Sequence, residues 1–497
     1  MAEKYQNFID GQWLDSINGE TFENRNPANW DEVVGIFPKS TKQEVDKAVS
    51  AARKVFDDWR LMPAPKRGMI LKKVGDLMTQ RKEEIARLMT REMGKVLAET
   101  RGDVQEGIDT AYYAAMEGRR LLGHNAPSEL PNKMNLSFKI PVGVAGIITP
   151  WNFPMAIPTW KIFPALVCGN TVVFKPASDT PATATKLVEI LAEAGIPGGA
   201  INIVHGGGSS VGMGIVNHSD IDLISFTGSS EVGSIINSNA GKDLKRVSLE
   251  LGGKNAQIVM QDANLELALD GVLWGAFGTT GQRCTATSRL ILHKDIHNKF
   301  LDMLEEKANQ LKLGDGLIET NQVGPVINES AREKIHSYID IGKKDGATLL
   351  TGGEFATEGD LKKGWFYKPT IFVDVKQGMR IEQEEIFGPV LSVIKVNDLD
   401  EAVKVLNGVE YGLSSSLYTQ DVNNAFRAMR DINCGITYIN GPTIGAEAHM
   451  PFGGTKRTGN GHREGGWEVY DFYTETKVVY VDFSGRLQKA QIDVKYD

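Results

Sequence analysis

The chain has 497 residues, 41 % apolar and 24 % charged, with a net charge of −8. That length supports two or three domains with large cores, and an acidic balance without any basic block argues against nucleic acid or an anionic membrane as a partner. Three scattered cysteines, Cys168, Cys284 and Cys434, form no disulfide framework and fit a reducing compartment; with no signal-peptide profile in MAEKYQNFIDG and no apolar run near membrane length, a cytoplasmic protein is expected.

Residues 5–40 read as short strands and turns, with Asp10-Gly11 between apolar runs as a hairpin signal. Thr41 and Glu44 make a capping box for a helix that runs to about Arg60. Three more helices are predicted over 66–80, 82–98 and 102–122, with Pro63, Pro65 and Gly102 marking the gaps. Their charges read as a solvated face. Over 124–141 Pro and Asn break the helical pattern, and NLSFKI then alternates apolar and polar. A strand outside the main pattern is a candidate arm for pairing with another subunit.

From residue 143 strands and helices alternate. VGVAGIIT, TVVFKPAS (171–178), AINIV (200–204), LISFTGSS (223–230) and VSLELGG (247–253) read as buried strands, with helices near 181–195, 209–217 and 230–239 between them. This repetition predicts a parallel sheet with right-handed crossovers, whose ligands bind at the carboxyl ends of the strands. After residue 256 a second α/β pattern begins. Its helices are predicted near 263–277, 295–312, 329–345, 399–408 and 421–432, and its strands near 288–293, 368–374, 390–396 and 435–440. The closing segment, YTETKVVYVDFSGRLQKAQIDVKYD, alternates again as a second arm or edge strand.

Four stretches carry candidate chemistry. GTTGQRCTATSRL (278–290) sets Cys284 on a glycine- and threonine-rich connection; a lone cysteine is either a small buried apolar residue or a nucleophile. In VSLELGGKN (247–255) Glu250 ends an apolar strand. It is either a salt-bridged strand-end residue or a base whose pKa burial raises. Asn152 in ITPWNFP (148–154), between two prolines, is a turn former or a rigid oxyanion donor. Lys175, at a strand end in VFKPAS, is a rim lysine or a hook for ribose or phosphate. No GxGxxG fingerprint is present, because GGGSSVG (206–212) has Val211 at the third glycine position. FTGSSEVG (226–233) is the better cradle for a pyrophosphate at a helix N-terminus. No metal site is expected.

TPWNFP, FKPAS, FTGSSEVG, LELGGKN, GQRCTATSR, EEIFGPV and PFGGTKRTG, in that order, resemble the aldehyde dehydrogenase superfamily across essentially the whole chain. The resemblance implies an α/β fold with a Rossmann-like parallel-sheet cofactor domain, an α/β catalytic domain and a β-strand oligomerisation arm. The expected division is 1–121 with 142–252 for NAD(P), 253–464 for catalysis, and 122–141 with 465–497 as the arm. It implies Cys284 as the nucleophile, Asn152 and the Cys284 N–H as oxyanion donors, and Glu250 as the base that hydrolyses the thioester. Lys161 and Glu464 match a proton-exit pair behind that base. Lys175 and Glu385 match ribose-holding residues, and Phe387 packs near the nicotinamide. Trp151, Gly228 and Ser229 match the adenosine and pyrophosphate region, with Gly208, Gly212, Phe226, Leu251 and Gly252 beside them.

Two positions refine this picture. Ser178 stands three residues after Lys175, where NAD-preferring relatives often carry Glu; no charge there rejects a 2′-phosphate, so NAD or NADP are both expected. Glu250 argues against the CoA-acylating branch, which lacks that base. GQRCTATSR and GAEAHMPFGGTKRTGNGHREGG resemble branches acting on carboxylate-bearing semialdehydes, such as α-ketoglutaric or α-aminoadipic semialdehyde. Arg283 then either meets the substrate carboxylate with bidentate bonds or points into a neighbouring salt bridge, with Thr285 and Thr287 lining the same pocket. Trp160, Ile157 and Ile444 equally suit a broad or apolar aldehyde. A cysteine hydrolase would need a histidine partner, and none of the eight histidines lies in these motifs, His462 coming nearest and His449 lying in a predicted loop. A homodimer or homotetramer is expected through the arm, and the segment after Asp482 either wraps a neighbour or blocks one edge of the assembly.

Overall fold

The computed structural model describes residues 2–494. Two seven-stranded sheets form its framework. In the first, five parallel strands run in the spatial order Arg246–Glu250, Leu223–Thr227, Val144–Ile148, Thr171–Lys175, Ile201–Ile203. Val144–Ile148 and Thr171–Lys175 are buried at every position, as their unbroken apolar runs require. The hairpin Asn7–Ile9 and Gln12–Leu14 extends this sheet antiparallel; Asp10 (φ 51°) and Gly11 (φ 78°) make its two-residue turn. The strand order reverses direction beside Val144–Ile148. The carboxyl ends of that strand and of Leu223–Thr227 therefore diverge and leave a crevice at the switch point.

The second sheet holds Thr370–Val373, Val390–Val396, Arg289–His293, Ala256–Val259, Ser414–Tyr418 and Ile436–Ile439 in parallel, with Thr348–Thr351 antiparallel at one edge. Lys133–Pro141 pairs antiparallel with Thr474–Asp482 from Thr474↔Pro141 to Asp482↔Lys133, and Asn125–Pro127 adds a third strand. The two alternating segments are thus one sheet, which leaves Phe138, Val478 and Tyr480 exposed. The last three residues of the C-terminal extension lie outside the described residues; before them, Phe483 N–H bonds to Asn132 O and Gln488 Nε2 to Pro131 O, tying the extension to the arm of its own chain.

Helices Lys42–Leu61 and Ala64–Gln80 match their expected places, the capping box of Thr41 and Glu44 is formed, and the helix expected over 102–122 runs instead over Leu97–Glu117. The break expected at Gly102 lies elsewhere. Helix Lys82–Met93 ends at Gly94, which is left-handed (φ 89°) and so close to Pro325 and Pro27 that a Cβ would stand 2.6 and 2.9 Å from them. Gly102 has nothing within 4 Å, and the next helix passes straight through it. The segment expected as a helix over 209–217 opens as a π-helical turn, Gly208–Gly212, before the short helix Met213–Val216. Ala156–Cys168, not anticipated as a helix, is buried at every position except Trp160. Pro158 and Pro164 interrupt it in the sequence, and its all-round apolar surface has no helical period to read.

Candidate active site

Two cavities meet at Cys284. One, of about 340 Å³, lies in the switch-point crevice, and the other, of about 260 Å³, forms a tunnel on the far side. Both are lined by Cys284, Thr227, Leu251 and Ile157. Among the described residues no histidine lines either cavity.

The loop carrying Cys284 is held under strain. After helix Leu265–Phe277 the chain turns through Thr279 (φ 51°) and Thr280 (φ 57°). Left-handed backbone at a β-branched residue costs of order 1–3 kcal/mol. Several side chains impose it. Glu99 Oε1 accepts from Thr279 N–H at 2.7 Å, and Thr280 Oγ1 donates to Gly324 O at 2.9 Å. Gln282 bridges to Thr279 O, Pro325 O and the Ile327 N–H. Asn255 then donates from Nδ2 to both Cys284 O (2.7 Å) and Ala286 O (2.9 Å). Gly253 runs so close beneath that a Cβ would stand 2.5 Å from Cys284 O.

Burial, with the charges of Glu385 and Glu250, pushes the Cys284 thiol up to about 12, while the N–H groups of Thr285 and Cys284 oppose the shift. The sulfur is therefore a neutral thiol in this form. Asn152 donates from Nδ2 to Gln282 O at 3.1 Å, and its Oδ1 has no partner among the described residues. That bond occupies one N–H and leaves the second for the cavity.

Glu250 is buried at the end of Arg246–Glu250, and neither carboxylate oxygen has a partner among the described residues. Burial first, then the charge of Glu464, raises its pKa well above the ordinary carboxylate value. A Cβ on Gly453 would lie 2.6 Å from Glu250 Oε1, so the glycine leaves the carboxylate its space. Lys161 Nζ donates to Glu464 Oε1 at 2.5 Å and to Ser225 Oγ at 2.9 Å, all three fully buried.

The crevice gathers Trp151, Asn152, Gly228, Ser229, Leu251, Gly252, Glu385 and Phe387. Glu385 Oε1 accepts from Gly253 N–H at 2.8 Å, and a Cβ at Gly252 would strike Oε2 at 2.5 Å. Trp151 meets Phe387 edge to face at 5.5 Å. Ser229 caps helix Ser230–Ala240. Lys175, Ser178, Gly208 and Gly212 lie outside this group. Lys175 Nζ donates to Pro176 O, burial lowers its pKa to about 8, and Gly212 passes alongside its stem. Ser178 Oγ bonds to Gly206 O at 3.3 Å, and Gly208 is exposed. Phe226, expected among the cofactor contacts, belongs to the core; its ring lies so close under Gly228 that a Cβ there would be 2.5 Å away.

Trp160, Thr285 and Arg283 line the tunnel. Arg283 stacks over Trp274 (4.9 Å) and Phe153 (5.3 Å), donates from Nε to Thr279 Oγ1 (2.9 Å), and pairs from Nη2 with Glu99 (3.3 Å). It is both salt-bridged and cavity-lining, and its Nη1 makes no hydrogen bond among the described residues.

The chain matches the model of the aldehyde dehydrogenase family over residues 13–479. It belongs to that family. It is 43 % identical over 477 residues to alpha-ketoglutaric semialdehyde dehydrogenase of Bacillus subtilis (strain 168), covering 96 % of this chain and 98 % of that one. It is 44 % identical over 481 residues to alpha-ketoglutarate semialdehyde dehydrogenase of Haloferax volcanii, covering 97 % and 99 %. The crystal structure of betaine aldehyde dehydrogenase from Staphylococcus aureus in complex with NAD+ is similar with a TM-score of 0.95 at 36 % identity, covering 97 % of this chain and 95 % of that chain.

In this aldehyde dehydrogenase the site also uses Asn255, Glu99, Thr279 and Ser225, none of which the sequence motifs single out. Asn255 stands inside the LELGGKN motif, which was its one visible signal. Glu99 lies where a gap between two helices is expected from the sequence, yet it is on helix Leu97–Glu117 and buried beneath the nucleophile loop.

Proposed function

We propose that this NAD(P)-dependent aldehyde dehydrogenase oxidises an aldehyde that carries a distal carboxylate, through a thioester on Cys284. The observation that carries the reading is Arg283. It is fixed by two aromatic faces and by Glu99, lines the cavity that Cys284 also lines, and has an Nη1 with no hydrogen bond among the described residues. A preorganised guanidinium edge of this kind recognises a carboxylate. The names of the two semialdehyde relatives point the same way.

In this reading the Cys284 thiol gives its proton to the nearby Glu250 carboxylate, which passes it on to Lys161 and Glu464, as the sulfur adds to the aldehyde carbon; the carbonyl π pair moves to oxygen, where the free Asn152 N–H and the Cys284 N–H stabilise it. A dinucleotide held in the crevice would supply the hydride acceptor: as the oxyanion pair re-forms the C=O bond, the aldehydic C–H pair would leave as hydride, giving the thioester on Cys284. Glu250 takes a proton from water, whose oxygen adds to the thioester carbon and expels the Cys284 thiolate, leaving the carboxylic acid. Lys161 and Glu464 carry the proton away from Glu250. The crevice fits a dinucleotide on its own geometry. Gly252 and Gly253 open a cradle against Glu385, where ribose hydroxyls would bond, and the helix capped by Ser229 offers N–H groups to a pyrophosphate. Lys175 would hold the second ribose. With Ser178 uncharged beside it, the protein accepts both NAD+ and NADP+. The exposed apolar face of the Lys133–Pro141 and Thr474–Asp482 sheet makes a homo-oligomer, a dimer or tetramer, the working form.

The aromatic tunnel wall of Trp160, Phe153, Trp274 and Phe452 favours a second reading, a broad-specificity enzyme for aliphatic or aromatic aldehydes. NADH and NADPH formation across a panel separates the two. It contains succinic, glutaric and α-ketoglutaric semialdehydes, pentanal and benzaldehyde. A preference for the acid substrates that Arg283→Ala abolishes supports the first; a flat or apolar preference refutes it.

A further inference from the structure

Helix Leu97–Glu117 turns three acids toward the tunnel. Glu99, Asp103 and Glu106 are spaced four and three residues apart, which places them on one face. Two of them are answered. Glu99 meets Arg283 at 3.3 Å and Thr279 N–H at 2.7 Å. Asp103 meets Lys95 at 2.7 Å, with both side chains fully buried, and Ala156 N–H at 2.7 Å. Glu106 meets neither cation. Its Oε1 is shielded from solvent and has no hydrogen-bond partner among the described residues. It stands where the tunnel passes into an outer pocket, since Gly102, Glu106 and Ala446 line both.

Glu106 is half-buried, and a carboxylate oxygen shut away from water without a partner is costly, so the group either keeps its proton or waits for a ligand. We propose that Glu106 does both: as a carboxylic acid it donates a hydrogen bond to the substrate carboxylate that Arg283 holds by charge. The pair is then a two-point dock for the acid end of a semialdehyde, with the aldehyde end at Cys284. This inference rests on the carboxylate-bearing substrate proposed above.

The surroundings fit a proton held on Glu106. Burial pushes its pKa up to about 8, the charge of Asp103 and more weakly that of Asp109 adding to the shift, and Lys95 and Arg283 opposing it. Across the tunnel stands Tyr438, whose own pKa is raised to about 12 by burial and by the charges of Glu106 and Glu447. Glu447 and His449 line the outer pocket. The sign follows directly. Below about pH 8 the group donates; above it, the ionised carboxylate repels an acid substrate. An aldehyde with an uncharged tail feels neither effect.

The test is the ratio of kcat/KM for glutaric semialdehyde to that for pentanal, measured from pH 6.5 to 9.5 on the wild type, Glu106→Gln, Glu106→Leu and Arg283→Ala. The wild-type ratio falls by about tenfold per pH unit above about pH 8. Glu106→Gln retains a donor, so it keeps the ratio within about threefold at pH 7 and flattens the alkaline fall. Glu106→Leu lowers the ratio at pH 7 by about tenfold or more, the scale of one hydrogen bond to a charged group. If Leu does not fold, the flattened profile of Gln decides. A ratio that rises at pH 7 in both variants overturns the proposal, since the wild-type group would then be repelling the substrate as an anion. So does a wild-type preference for an amino-tailed aldehyde that is lost in Gln. If Arg283→Ala abolishes acid preference while both Glu106 variants match the wild type, only the role of Glu106 fails; if Arg283→Ala leaves the preference intact, the carboxylate reading fails with it.

Discussion

Gly253→Ala is the sharpest probe of how the nucleophile is held. The added Cβ would lie 2.5 Å from the Cys284 carbonyl oxygen, and 3.0 and 3.2 Å from Oδ1 and Nδ2 of Asn255. Ordinary contact begins near 3.4 Å, so the backbone of Cys284 must yield by about 0.9 Å. Asn255 cannot absorb the clash, because its Nδ2 holds Cys284 O and Ala286 O and its Oδ1 holds the Ser414 N–H. Displacing a reacting group by about 1 Å costs roughly 100-fold in rate, or about 2.7 kcal/mol of barrier. No backbone penalty confuses this figure, since Gly253 is not among the glycines with positive φ. The measurements are kcat/KM for aldehyde oxidation and the rate of Cys284 alkylation by iodoacetamide, with circular dichroism to confirm the fold. Gly241→Ala serves as the comparison: its site has nothing within 4 Å and a φ of −63°, so a change within about 0.5 kcal/mol in stability is expected. A Gly253→Ala enzyme within threefold of the wild type, with unchanged alkylation, would refute the account of the loop.

Glu250→Gln should slow thioester hydrolysis by about 10²–10⁴-fold, so a stoichiometric burst of NAD(P)H precedes a slow steady state; linear turnover at the wild-type rate would remove Glu250 from the mechanism. Because burial raises the Glu250 pKa and only the deprotonated base works, the wild-type hydrolytic step should accelerate as pH rises, and the Gln variant should lose that limb. Ser178→Glu should raise KM for NADP+ by about tenfold or more through like-charge repulsion, with NAD+ changed less than threefold; equal effects on both cofactors would show that residue 178 does not face the 2′-phosphate. Asp103→Ala strands the buried Lys95 ammonium, whose partner it is at 2.7 Å, and should destabilise the protein by about 3–5 kcal/mol. A denaturant midpoint that barely moves would disprove the load placed on that pair.

What could be read from the sequence was chemistry confined to a few consecutive residues. Glu250 ahead of two glycines and the strand-then-glycine run at Gly228 announce groups at the carboxyl end of a strand, where an α/β sheet puts its ligands, and Cys284 between glycines and threonines marks a helix-to-strand connection that reaches the same place. What escaped was decided by residues far apart in the chain. Ser414–Tyr418 has polar letters, yet it is fully buried, because Ser414 and Ser416 hydroxyls bond to the carbonyls of Thr443 and Gly441. Gly94 and Gly102 are the same letter on the same stretch, and only the approach of Pro325 and Pro27 makes the first a helix end.

The same limit governs the helix that borders the tunnel. Because the helix begins at Leu97 and not at Gly102, where the sequence put its start, its period sets Glu99, Asp103 and Glu106 on one face, and a charged face is usually a solvated one. Here the face is turned inward, and it is tolerated because Lys95 and Arg283 arrive from outside that helix to neutralise two of its three acids. Arg283 sits beside the nucleophile, so the ion pair that permits Glu99 to be buried also fixes the guanidinium over Trp274 and Phe153. Stability and specificity thus draw on the same contact. Glu99→Gln should therefore loosen acid-substrate recognition even though Glu99 is separated from the substrate by Arg283. KM for glutaric semialdehyde would rise with less change in kcat. An equal fall in kcat for pentanal and for the acid would place Glu99 in support of the Thr279 turn alone.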